Sequence, residues 1–140
     1  MHAIVSGADP SRKNFEIIKT AIYEDAARKG AEPPAAAGVM FISGSSSVLP
    51  ENVLSGGTID MTPVVYVHDV NTTFYEGSCG SGTTAACAAM SLGCDDGDYV
   101  YDVRQPKGTI RCTCVVRDGE AKEIYIEGPV IISEEASITI

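Results

Sequence analysis

The stretch that decides the fold reads Tyr75-Glu76-Gly77-Ser78-Cys79-Gly80-Ser81-Gly82-Thr83-Thr84 and continues as Ala85-Ala86-Cys87-Ala88-Ala89-Met90-Ser91-Leu92. It opens strand-like, tightens into a glycine turn with Cys79 at its lip, and ends in a run of good helix formers. From Gly77 to Leu92 there is no charged residue. A helix with nothing to show to solvent is expected to be central, buried between other layers. Free amides and the positive end of the helix dipole at its start favour an anion, either a bound carboxylate or the Cys79 thiolate. A thiol in that place is expected to fall below its free value of about 8.5 and so serve as a base or nucleophile near neutral pH. Gly80 and Gly82 are expected to let the backbone approach a ligand closely. The plainer alternative is a buried structural cysteine beside a tight turn, since cysteine is among the most buried residue types. Glycine on both sides of Ser81 favours a site.

On the N-terminal side, residues 2–6 form a short apolar strand. Asp9-Pro10-Ser11 reads as a helix start, with a capping side chain and a proline at an early position where its missing donor costs nothing. Phe15, Ile18 and Ile22, with Ile17 and Ala21 beside them, make the apolar face of an amphipathic outer helix that Gly30 closes. Gly38-Val39-Met40-Phe41-Ile42-Ser43 reads as a buried strand. A glycine- and serine-rich stretch up to Gly57 follows, long enough to be mobile or functional. Its Ser43-Gly44-Ser45-Ser46-Ser47 run has no lysine after it, so a phosphate loop is excluded. Residues 58–70 and 73–78 pair as strands about the turn Asp69-Val70-Asn71-Thr72.

Beyond the central helix, Gly93 is the stop. Strands are expected over 99–103, 108–116 and 123–126, the last two joined by Arg117-Asp118-Gly119-Glu120 as a hairpin turn. Short edge strands are expected over 130–133 and 137–140. The sum is an α+β chain, an antiparallel or mixed sheet wrapped around one central buried helix with one additional surface helix. The acidic turn Asp95-Asp96-Gly97-Asp98 lacks the spacing of a calcium loop. Cys112 and Cys114 share one strand face but have no second pair at zinc spacing, so they read as core and no metal is expected.

The chain has 140 residues, 44% hydrophobic and 21% charged, which bounds it to one domain (1–140) with a core of its own. A net charge of -9 without a basic run excludes a nucleic-acid backbone as partner. The absence of a long apolar segment or a signal sequence implies no membrane and a cytoplasmic location. Five cysteines without a secretory signal predict reduced thiols.

Cys79-Gly80-Ser81-Gly82-Thr83-Thr84-Ala85 resembles the second catalytic-cysteine motif of the diaminopimelate epimerase and proline racemase superfamily. Gly108-Thr109-Ile110-Arg111 and the Tyr125-Ile126-Glu127-Gly128-Pro129-Val130 segment are similar to that family's closing strands. The resemblance implies a diaminopimelate-epimerase-like domain, the C-terminal half only of a two-domain enzyme. It implies an amino-acid racemase or epimerase that works without pyridoxal phosphate or any other cofactor. Such an enzyme removes the α-hydrogen and returns it from the other face, which takes two acid–base groups on opposite sides of the carbon. By that resemblance Cys79 is one of them, Gly80, Ser81 and Gly82 hold the substrate carboxylate, and Thr83, Glu76 and His2 contact the substrate. The second cysteine would come from a separate N-terminal half or from a second copy in a homodimer. The Glu-Arg pair that precedes the cysteine in diaminopimelate epimerases is missing here, which makes another amino acid, such as histidine, at least as good a candidate. Two other readings compete. One is a non-catalytic ligand-binding or assembly domain of the same fold, and the other is a cysteine hydrolase pairing Cys79 with His68.

Overall fold

The computed structural model describes residues 1–43 and 57–130. The glycine- and serine-rich stretch from 44 to 56, and the edge strands expected beyond Val130, lie outside the described residues. In chain order the elements are β1 (His2–Ser6), α1 (Arg12–Arg28), β2 (Ala36–Ser43), β3 (Gly57–Val67), β4 (Thr72–Tyr75), α2 (Gly80–Met90), β5 (Gly97–Gln105), β6 (Gly108–Arg117) and β7 (Glu120–Glu127).

The strands form one mixed sheet in the order β1-β2-β3-β5-β6-β7, with β4 also on β3. Pairs β1/β2 and β3/β5 are parallel and the rest antiparallel. One edge of β3 is shared: β5 takes Gly57 to Asp60, and β4 takes Val64 to Val67. Pro63 stands at the seam, where its carbonyl accepts from the Glu76 amide. The chain leaves the sheet there, and α2 begins four residues further on, at Gly80.

Helix α2 touches β1 and β2 on one side and β6 and β7 on the other, strands from opposite ends of the sheet order. The sheet therefore curls around it. Met40, Met61, Tyr99, Tyr101, Val103, Cys112, Cys114 and Val116 close over Ala86 and Cys87. Cys112 and Cys114, fully buried, are core residues as expected. The helix is not enclosed all round, however. Gly82, Thr83, Ala86 and Cys87 are buried, whereas Ser81 is exposed and Ala85 and Ala88 are partly open. The expectation of a helix without any solvent face is corrected accordingly: small side chains let one stripe of it lie near water at little cost.

Helix α1 covers the opposite face of the sheet, where Phe15 and Ile22 meet Ala37, Val39, Phe41 and Val64. Strand β2 is thus buried on both faces, which explains its unbroken apolar run. Ser11 is the N-cap, its hydroxyl accepting from the Asn14 amide, so Pro10 precedes the cap and does not enter the first turn. Gly30 ends the helix in the left-handed region at φ 65°, with its own amide bonded to Ala27 and that of Ala31 to Ala26. Ile17, expected on the apolar face, is 60% exposed, and Ala26 takes the inward place one turn past Ile22. Asn71, Asp118 and Gly119 all have positive φ, the last two as the tight turn between β6 and β7.

Candidate functional site

Cys79 is the N-cap of α2. Its backbone is extended (φ -139°, ψ 109°), and its Sγ accepts from the Gly82 amide at 3.4 Å. A helix leaves its first amides without intrahelical partners. Here the third is taken by the thiol, while those of Gly80 and Ser81 take no partner among the described residues. Two donors at the positive end of α2 therefore stand beside a half-buried sulfur.

Three more predicted residues gather around that sulfur. The Ser81 hydroxyl lies 3.6 Å from Sγ and 3.3 Å from Nε2 of His2. His2 comes from β1, in register with Gly38, and its ring rests where a Gly38 side chain would be, 2.8 Å from that missing Cβ. Glu76, from the segment after β4, lies near enough for its charge to bear on both the thiol and His2. The residues that the sequence scattered over eighty positions thus meet at one helix end.

The electrostatics run against expectation at Cys79. Burial pushes its thiol up, the Ser81 hydroxyl and the Gly82 amide pull it part of the way back, and Glu76 adds to the rise. The net direction is upward, so the predicted low thiol pKa is corrected: the helix end acts, but desolvation outweighs it. His2 is held below its ordinary value by burial and by the Met1 amino group, with Glu76 opposing.

Gly82 and Thr83 turn out to face inward. A Cβ on Gly82 would lie 2.3 Å from the Met40 sulfur, so this glycine is needed for packing against the core. Thr83 is fully buried, and its hydroxyl donates to the Cys79 carbonyl at 2.7 Å. Both hold Cys79 in place, and the open donors belong to Gly80 and Ser81. Gln105 was not foreseen. It lies in β5, far from the motif in sequence, and its carboxamide oxygen accepts from the Cys79 amide at 2.7 Å. Only its position as a polar residue closing an alternating strand could have marked it.

His68 does not join this group. It stands with Tyr23 and Tyr66 on the α1 face, ring centroids 6.0 and 6.5 Å away, on the other side of the sheet from α2. The hydrolase reading that paired it with Cys79 loses its base. The remaining thiols are also elsewhere: Cys87, Cys112 and Cys114 in the core, and Cys94 beyond the far end of α2, against the Met90 carbonyl. The Cys112 thiol beside it, together with burial, raises Cys87 far above the ordinary cysteine range, so it stays a thiol. Among the described residues no helix is long and apolar enough to cross a membrane.

The half-buried thiol thus stands beside two open amides and the Ser81 hydroxyl, which in turn reaches the His2 imidazole. Residues 2–138 match the family described as the histidine racemase CntK N-terminal domain, and the chain belongs to that family. It is thereby a member of the wider racemase and epimerase superfamily. The description names an N-terminal domain, where the motif resemblance implied a C-terminal half. Over 82 residues, 59% of this chain, it is 39% identical to a histidine racemase of Fusobacterium nucleatum subsp. nucleatum. The stretch spans only 28% of that relative's length. A methylitaconate-delta-isomerase crystal structure aligns over 86% of this chain and 57% of its own, at 12% identity and a TM-score of 0.47, too distant a likeness to bear on fold or function.

Proposed function

We propose that this chain is a domain of a cofactor-independent amino-acid racemase, with a diaminopimelate-epimerase-like fold, in which Cys79 is one of two acid–base groups at the substrate α-carbon. Histidine is the substrate we favour, after the name of the Fusobacterium relative. The observation that carries the reading is the Cys79 sulfur at the N-cap of α2, next to the open amides of Gly80 and Ser81. Those amides are placed for the substrate carboxylate and for the negative charge that grows on it as the α-proton leaves. The α-carbon, one bond from that carboxylate, then comes within reach of Sγ.

Racemisation requires one group protonated and one not. The raised pKa of Cys79 makes it the protonated member in the ligand-free site, the one ready to deliver a proton. The opposing base has no candidate thiol near Cys79 among the described residues. We assign it to a second domain or to a second copy of this chain, which makes a homodimer one form of the active species. His2 and Glu76 are proposed to contact the substrate from the Cys79 side.

Proton NMR of histidine in deuterated buffer with a thiol reductant tests this. Loss of the α-hydrogen signal is expected with the chain, or with the chain joined by the remaining length of the relative, and not with Cys79→Ser. Exchange that persists in Cys79→Ser would refute the role given to the thiol. Exchange with other amino acids but not with histidine would refute the substrate. The non-catalytic alternative predicts histidine binding that Cys79→Ser leaves intact, with no exchange in any form.

A further inference from the structure

We propose that Gln105 is a positioning residue for Cys79, holding the peptide of the reacting thiol from both sides through Thr83. The inference rests on the reading of Cys79 as an acid–base group.

Gln105 is the last residue of β5, paired with Gly108 across the hairpin and only 9% exposed. Its Oε1 accepts from the Cys79 amide at 2.7 Å, and its Nε2 donates to the Thr83 hydroxyl at 3.0 Å. The Thr83 hydroxyl, in turn, donates to the Cys79 carbonyl at 2.7 Å, and the Thr83 amide donates to the same carbonyl at 2.9 Å. The ring closes on one residue. Cys79 gives its amide to Gln105, and its carbonyl is bound by the threonine that Gln105 also binds.

The chemistry selects glutamine. The position needs an acceptor for an amide and a donor for a hydroxyl already spent as a donor, on one planar group at that reach. Glutamate lacks the donor, asparagine is one methylene short, and methionine has the length with neither function. The same hairpin grips the loop a second time. The Lys107 amide donates to the Gly77 carbonyl at 2.9 Å, and the Lys107 stem lies where a Gly77 side chain would be, 2.4 Å from that missing Cβ. Two contacts, at Gly77 and Cys79, tie the catalytic turn to β5 and β6.

Such a hold matters because Sγ has only long contacts of its own, 3.4 Å to the Gly82 amide and 3.6 Å to Ser81. A small rotation of the Cys79 peptide would carry the sulfur out of line with the Ser81 hydroxyl and the Gly82 amide, the two contacts that favour its thiolate. The titratable groups nearest the thiol are Glu76, after β4, and His2 of β1, which is reached through Ser81, and neither is hydrogen-bonded to Gln105.

The experiment follows alkylation of Cys79 by iodoacetamide against pH, residue by residue in a mass spectrometer, together with hydrogen exchange of the Cys79 amide by NMR. In Gln105→Met the amide should exchange roughly tenfold faster, as for a lost hydrogen bond. The alkylation midpoint should rise by about half a pH unit, slowing the reaction about threefold below it. Thr83→Val should follow Gln105→Met, and Thr83→Ser, which keeps the hydroxyl, should match the parent. Parental behaviour of both Gln105→Met and Thr83→Val would overturn the proposal. If Gln105→Met fails to fold, the threonine pair decides: a difference between Val and Ser supports the latch, and identity overturns it. None of these readouts needs turnover. Should Cys79→Ser leave α-hydrogen exchange unchanged, the catalytic reading falls while the latch is judged on its own data.

Discussion

Replacing Gly82 with alanine sets two effects of known size against each other. Alanine in place of glycine within a helix is worth up to about 1 kcal/mol of stability, and less in a first turn, where Gly82 stands as the third helical residue. Against this, the new methyl would lie 2.3 Å from Sδ and 3.1 Å from Cε of Met40, a fully buried side chain, and 3.2 Å from the Cys79 sulfur. Overpacking of a core costs about 1–3 kcal/mol. We therefore expect Gly82→Ala to lose about 1–2 kcal/mol in urea unfolding followed by circular dichroism. Met40→Val removes both obstructing atoms at the cost of a cavity. In that background the alanine should be neutral or stabilising, a coupling of about 1–2 kcal/mol in a double-mutant cycle. A Gly82→Ala chain as stable as the parent, or effects that simply add, would refute the assignment of Gly82 to packing.

Four further outcomes are expected. Burial raises the Tyr101 phenol to about 12, and because the neutral form is the one favoured in the fold, its stabilisation is complete below pH 10 and lost as pH rises through 12. At pH 11 the parent should have lost about 1.4 kcal/mol that Tyr101→Phe retains, read as the difference between their urea midpoints. Gly38→Ala would place a methyl 2.8 Å from the His2 ring and should part it from Ser81; the imidazole titration followed by NMR should then move upward as burial is relieved. Glu76→Gln removes a charge that raises Cys79, so alkylation of Cys79 at a fixed neutral pH should quicken. Gly30→Ala meets no atom within 4 Å, so its cost, about 1 kcal/mol in thermal unfolding, should be that of the left-handed backbone alone.

Much of the architecture was legible because local signals and burial agree. The apolar run of β2 says that both its faces are covered, Gly30 and Gly93 mark helix ends by positive φ, and Asp118-Gly119 fits its tight turn. What could not be read is where pairing is decided by distant residues. Nothing in residues 57–67 announces that one edge of β3 is divided between β4 and β5. Ile17 faces outward and Ala26 inward because the α1 stripe is set by where Val39, Phe41 and Val64 lie beneath it. At the site, Cys79 and its glycines were visible as a motif, whereas Gln105 reaches Cys79 across 26 positions and leaves no spacing to detect.

The reversed shift of Cys79 has a consequence for what the site can bind productively. The helix end alone would favour a thiolate, yet the fold adds burial against the core cluster and a carboxylate from Glu76. A carboxylate seated on the Gly80 and Ser81 amides brings one more negative charge near the sulfur and consumes the donors that would favour a thiolate. An ammonium group placed against Glu76 does the reverse. A zwitterionic α-amino acid brings both charges on groups bonded to one carbon, whereas a simple carboxylic acid brings only the first. Saturating histidine should therefore raise the Cys79 alkylation midpoint less than a saturating carboxylic acid of the same size does. Equal shifts would mean that Glu76 does not meet the ammonium group, and that the amines of substrates are held elsewhere.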